Sequence, residues 1–276
     1  MKLLKKNSKG TETGILRSLL SHFGYLPVSG TDTEAIFDDA VYDAVVRFQK
    51  DSGLSADGIV GYDTFERLIY RNGNNGDSPT DTDYKLMGIL LECTPAAILA
   101  VQEVETGGRG GFFAPGKPAI LFEGHIFWSE LKKRGQDPED LLKCNPGYSD
   151  ILYPQWTTKH YLGGIKEYDR LDRAIAINRD AALCSASWGM FQIMGNNHTV
   201  CGKKTVDDFV EAMKSGELAQ MLLFCRFIRG NSRLAEAIRD IGKEPDWTTF
   251  ARYYNGPAYA KNDYHGKLDR AYTKYK

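Results

Sequence analysis

Residues 71–83 read RNGNNGDSPTDTD, a run without one large apolar side chain. Gly, Asn, Asp, Ser and Thr in this density bury too little surface to offset the entropy of ordering them. The run therefore reads as a flexible linker, and as a coil it spans roughly 20 Å. It divides the 276 residues into a first domain at 1–70 and a second at 84–276. With 42% hydrophobic and 26% charged residues, the chain has the composition of an ordinary folded, water-exposed protein.

Several classes of function are disfavoured by what is missing. A net charge of -1 gives no general attraction to nucleic acid or anionic membrane. Stable membrane insertion is not expected, because the longest apolar window, around residues 89–101, is interrupted by Glu92 and Pro95. Lys2, Lys5, Lys6 and Lys9 make a basic start with no apolar stretch behind it, so no export signal is expected. The 5 cysteines are widely spaced and odd in number, which reads as reduced thiols. The 5 histidines form no HExxH or other ligand spacing; neither a metal nor a cofactor is expected.

The first domain alternates short helical patterns with turn signals. Ile15, Leu16, Leu19, Leu20 and Phe23 share one helical face, and Gly24 closes that segment. Val41, Ala44, Val45 and Phe48 form a second stripe, and Phe65, Leu68 and Ile69 a third. Three short helices with a small core are predicted, with Gly53, Gly58 and Gly61 allowing positive-φ turns between them. The string AVYDAVVRFQKDSGLSADGIVGYDTFERL, within residues 12–70, resembles the peptidoglycan-binding domain carried by many wall hydrolases. The resemblance implies attachment to wall glycan or stem peptide.

In the second domain, Thr94-Pro95 marks a helix start, with Thr as the N-cap. The following AAILAVQEVE, residues 96–105, stops at Thr106-Gly107-Gly108. At about 100° per residue, Glu105 shares the side of Ile98 and Val101, while Glu103 lies about 160° away and points to water. A carboxyl on an apolar face has its charged form disfavoured and its pKa raised. A glycosidase acid needs this, since it must still carry a proton near neutral pH. The alternative for Glu105 is a helix-end carboxylate paired with a cation such as Arg109.

Two further strings bear on that choice: SASWGMFQIM at 185–194 and YYNGP at 253–257. A helix-end Glu with Thr-Gly, a later W-G-x-F-Q-I string and a late Y-N-G string together resemble the lysozyme-like wall glycosidases. With ILFEGHIFW at 120–128, YDRLDRA at 168–174 and FARYYNGPAY at 250–259, the pattern is similar to phage N-acetylmuramidase domains, across nearly all of 84–276. The fold expected is mainly α: a three-helix peptidoglycan-binding bundle followed by a larger lysozyme-like helical catalytic domain. Carried over, the resemblance places Glu105 at the catalytic acid and Ser187, Gln192, Tyr254 and Asn255 against the sugar. Gln192 offers a donor and an acceptor, and Tyr254 and Asn255 a phenol and an amide. Trp188, Met190 and Phe191 read as core, and Ser187 has the alternative of capping a helix.

A second carboxylate is less clearly marked. Glu123 follows the apolar run 119–122 and stands beside His125; it reads either as a base activating water, as a group orienting Glu105, or as a paired structural charge. Asp169 and Asp172 are its rivals, although Arg170 and Arg173 suggest a salt-bridged helix face. The activity implied is hydrolysis of the β-1,4 bond between N-acetylmuramic acid and N-acetylglucosamine. Rivals are a lytic transglycosylase giving anhydro products, a non-catalytic wall-binding phage protein, and an amidase or endopeptidase. The resemblance to modular phage endolysins also implies a monomer made in the host cytoplasm. Its release to the wall would then depend on a separate, holin-type permeabilising partner.

Overall fold

The 3.6-residue spacings close into helix in both halves of the chain, and 59% of the described residues are helical. The computed structural model describes residues 1–27, 35–72, 78–243, 245–257 and 259–276. Residues 73–77, the middle of the linker-like run, lie outside the described residues. Two compact units result: one combines residues 1–74 with 79–95, and the other centres on 96–276.

In the first unit, α1 (Thr11–His22), α2 (Asp39–Asp51) and α3 (Tyr62–Asn72) bury the stripes marked in the sequence, except that Ile15 and Phe23 are only partly covered. Leu16, Leu20, Val45, Phe48, Phe65 and Leu68 have no exposed surface. Each such side chain contributes roughly 1.5–3 kcal/mol on leaving water. Asp38 starts α2 by accepting from the Val41 N–H at 2.9 Å. One buried amide fixes the turn that follows. Gln49 Nε2 donates to Asp57 Oδ1 (3.1 Å), the Ile59 carbonyl (3.0 Å) and Thr64 Oγ1 (3.1 Å), and its Oε1 accepts from the Gly58 N–H (2.9 Å). The FQ, DGI and DT segments of the binding-domain string are thus parts of one internal network. Gly58 has φ +70, and a Cβ there would lie 2.1 Å from the Tyr42 ring. Gly61 is different: it has no positive φ, and a Cβ there would meet only the tip of the exposed Leu3 side chain at 3.3 Å.

A fourth helix, α4 (Asp81–Leu91), packs on α3 and belongs to this unit by contact. The sequence reading put residues 81–83 in the linker and 84 onward in the second domain. Thr80 and Asp83 form a reciprocal capping box, and Asp81 and Asp83 sit at the positive end of the helix dipole. The same polar residues that suggest a linker are the start signal of a helix.

The second unit is built on α5 (Pro95–Thr106). Thr94 precedes it, but its hydroxyl is buried without a hydrogen-bond partner and makes no cap. An antiparallel pair, β1 (Phe112–Ala114) and β2 (Lys117–Pro118), comes next. Then β3 (Ile120–Phe122) runs directly into α6 (Gly124–Lys133). The chain passes through α7 (Pro138–Cys144), α8 (Glu167–Ile175) and α9 (Arg179–Cys184) before returning as β4 (Ala186–Trp188) and β5 (Ile193–Met194). These complete an antiparallel sheet in the order β3-β4-β5, with Leu121 opposite Ser187 and Ser187 opposite Met194.

Five helices follow: α10 (Val206–Lys214), α11 (Glu217–Arg229), α12 (Ser232–Asp240), α13 (Trp247–Tyr254) and α14 (Tyr264–Tyr275). The sequence of α11, ELAQMLLFCRFIR, is apolar nearly all round, which marks an interior helix. Its Phe224 stacks on Phe191 at 4.0 Å and meets Tyr254 edge-on at 6.1 Å. One buried helix therefore seats both the β4–β5 turn and the end of α13.

Candidate active site

Glu105 is the penultimate residue of α5. The residue keeps part of its surface accessible, but its carboxyl is densely surrounded by protein. Loss of hydration pushes its pKa up to about 7, against the opposing effects of an Asn255 hydrogen bond and the Lys267 charge. Asn255 Nδ2 donates to Glu105 Oε1 at 2.8 Å, while Asn255 Oδ1 is buried with no partner. Arg109 does not pair with this carboxylate; its Nε donates to the Thr106 carbonyl at 3.1 Å. The helix then ends in Gly107 and Gly108, both at positive φ and with open space where a Cβ would project. Glu103, read as a solvated charge, is instead tied to α14, where Lys274 and Tyr275 donate to it and hold its pKa down.

The late aromatic residue spends its hydroxyl on the backbone. Tyr254 is packed so tightly that its ionisation is pushed well above the usual range, first by burial and then by the Glu105 charge. Its hydroxyl donates to the Phe191 carbonyl at 2.6 Å. Gln192, next along, has φ 46, a left-handed conformation unusual for a residue with a side chain. Its amide is engaged within the hairpin: Nε2 donates to Gly189 (2.8 Å) and Ala119 (3.3 Å) carbonyls, and Oε1 accepts from Ser187 Oγ (2.8 Å). Ser187 thus caps no helix. Gln220 of α11 braces the same turn by accepting from Met190 N–H at 2.8 Å and donating to the Gly111 and Met213 carbonyls. A Cβ at Gly189 would lie 2.7 Å from Gln220, which explains glycine there.

Glu123 stands at the junction of β3 and α6. The Tyr161 hydroxyl lies 2.8 Å from each of its carboxylate oxygens, and His125 Nδ1 is 3.3 Å from Oε2 without hydrogen-bond geometry. Both flanks of Glu123 are clamped. Before it, Glu167 accepts from the Phe122 N–H (3.3 Å) and Arg170 donates to the Phe122 carbonyl (2.9 Å). After it, Gly124 N–H donates to the Tyr153 hydroxyl at 3.2 Å, and Arg170 donates to that same oxygen at 3.2 Å. Glu167 and Arg170 are wholly buried and 2.8 Å apart. Asp169 and Asp172, the rival carboxylates, are exposed on the other side of α8.

Among the sequence-selected residues, Glu105 with Asn255 and Ser187 with Gln192 are brought into direct contact. Tyr254 joins the two groups through Phe191. Glu123 stands in a separate cluster, linked to the hairpin because Ser187 pairs with Leu121 on the strand that ends beside it. The sequence reading missed Tyr161, the Glu167–Arg170 pair and Gln220. One signal was available: positions 167, 170, 171 and 174 have core spacing on a helix, and Glu and Arg occupy two of them.

A crowded glutamic acid with its pKa pushed up to about 7, at a glycine-lined helix end, has what a glycosidase acid requires. Comparison with known proteins gives the same class. Residues 94–276 match the family described as N-acetylmuramidase, and residues 9–68 match a peptidoglycan binding domain. The crystal structure of the Burkholderia AP3 phage endolysin is similar along 99% of both chains, at 35% identity and a TM-score of 0.62. The chain belongs to the N-acetylmuramidase family and is a peptidoglycan hydrolase of modular endolysin type.

Proposed function

We propose that the second unit cleaves the β-1,4 bond between N-acetylmuramic acid and N-acetylglucosamine, with Glu105 as general acid. The observation that carries this reading is the Glu105 carboxyl, crowded by protein and held by one neutral amide, with a pKa pushed up to about 7. Such a group still bears its proton near neutrality and delivers it to the bridging oxygen as positive charge develops at the sugar carbon. Glu123 serves as the second carboxylate, oriented by Tyr161 to face that charge or the water that quenches it. Asn255 aims the acid. Ser187, Gln192 and Tyr254 act behind the site, holding the hairpin and α13 in register, rather than by presenting free donors to sugar. The first unit keeps the enzyme at an insoluble polymer, where tethering raises the local concentration of bonds.

Purified walls digested by the wild type and by Glu105→Gln test this directly. The wild type is expected to release fragments with new reducing muramic acid ends, and the variant to lose roughly 1,000-fold or more of that rate. Fragments lighter by one water would make the enzyme a transglycosylase, and new free amino groups an amidase or endopeptidase. Undiminished cleavage by Glu105→Gln would reject the assignment of the acid.

For the cell, we infer cytoplasmic synthesis as a monomer and release to the wall through a separate permeabilising protein. Among the described residues no single helix is long and apolar enough to cross a membrane. Expression of this chain alone should leave cells intact until their membrane is breached; prompt lysis without a pore former would contradict that route.

A further inference from the structure

Trp156 lies in the segment between the two clamps that hold Glu123. It is 61% exposed, whereas Trp128, Trp188 and Trp247 are 8%, 1% and 3% exposed. An indole left in water forgoes the largest apolar burial any side chain offers. The segment that carries it is nonetheless fixed at both ends. Tyr153 is locked between Arg170 and Gly124, and the Leu162 and Gly163 N–H groups donate to Glu167 at 2.6 and 3.0 Å. The same segment ends beside Tyr161, whose hydroxyl bridges the Glu123 carboxylate. An indole has one polar atom, a donor. The apolar faces of this exposed ring remain for another partner.

From this placement we propose that Trp156 is a stacking platform for a pyranose ring of the glycan strand, at a binding position next to Glu123. The inference rests on the glycosidase reading of the second unit. A pyranose presents a face of C–H groups and an edge of hydroxyl and acetamido groups. The indole takes the face, and the polar groups around Tyr161 take the edge. The platform is preorganised, because the clamps immobilise the segment before any sugar arrives. Trp156 positions substrate and takes no part in proton transfer.

The test uses the full chain carrying Glu105→Gln, so that ligand survives, and soluble alternating N-acetylglucosamine–N-acetylmuramic acid strands stripped of stem peptide. Strand binding is expected to shield one tryptophan from acrylamide and shift its emission to the blue. Adding Trp156→Phe should abolish the shielded component. Calorimetry should give at least tenfold weaker binding for Trp156→Ala and within about threefold of the parent for Trp156→Tyr. In the active enzyme, Trp156→Ala should raise KM with kcat nearly unchanged, a split that loss of folding would not produce. No shielding, or unchanged affinity in Trp156→Ala while the wild type still makes reducing ends, overturns the platform alone. Failure of the wild type to make reducing ends would instead remove the reading beneath it.

Discussion

Glu167 and Glu105 are two acidic side chains of the same unit, both with carboxyls crowded by protein, and they are treated in opposite ways. Glu167 is fully buried and accepts from Arg170 and from the N–H groups of Phe122, Leu162 and Gly163. Glu105 receives one amide N–H, and its nearest influential cation, Lys267, is exposed. A buried carboxylate with every oxygen answered acts as architecture. One left short of donors is pushed toward keeping its proton, which is what the role proposed for Glu105 requires.

The sharpest way to break this contrast is to remove the partner of the first. Arg170→Met leaves Glu167 buried and unpaired, which should cost about 3–5 kcal/mol of stability. A denaturant midpoint would show it, and an unchanged midpoint would mean the pair is not the clamp described here. The opposite response is expected at the second site. Between pH 4.5 and 7 the folded protein holds a proton on Glu105 that the unfolded chain has lost, so stability falls as pH rises through that window. The displacement from 4.5 to about 7 corresponds to at most about 3 kcal/mol. Glu105→Gln, neutral at every pH, should therefore melt several degrees above the wild type at pH 8 and level with it near pH 4. Equal melting at both pH values would show that Glu105 ionises without strain.

Smaller effects should follow from the two groups that favour the ionised acid. Asn255→Ala removes the hydrogen bond that lowers the Glu105 pKa, so the alkaline limb of activity should move to higher pH while the rate falls about tenfold. A limb that moved down would reverse the role given to Asn255. Lys267→Met should shift the limb in the same direction by less, and added salt should mimic it in the wild type. Salt-insensitive activity limbs in both proteins would remove Lys267 from the account.

How far the sequence reached can be judged on the same residues. Apolar period and the abrupt Thr-Gly-Gly stop put Glu105 on the buried side of its helix, because both are local signals. The three-helix core of the first unit was legible for the same reason. The actual partners of Gln192 and Tyr254 were not. Both types can face sugar or backbone equally well, and only the packing of the β4–β5 turn on α11 decides. Tyr161 was hidden because it reaches Glu123 from 38 residues away. The helix start at Thr80 was overlooked because capping residues and linker residues share a composition.

Since Glu167 grips strand β3 and the backbone at 162–163 together, and Tyr153 is anchored by the same arginine, residues 154–160 form an arch standing on two fixed feet. Changes of length or side chain within it need not displace either foot. Loop grafts across 154–160 should therefore leave the backbone on either side of Glu123 where it is.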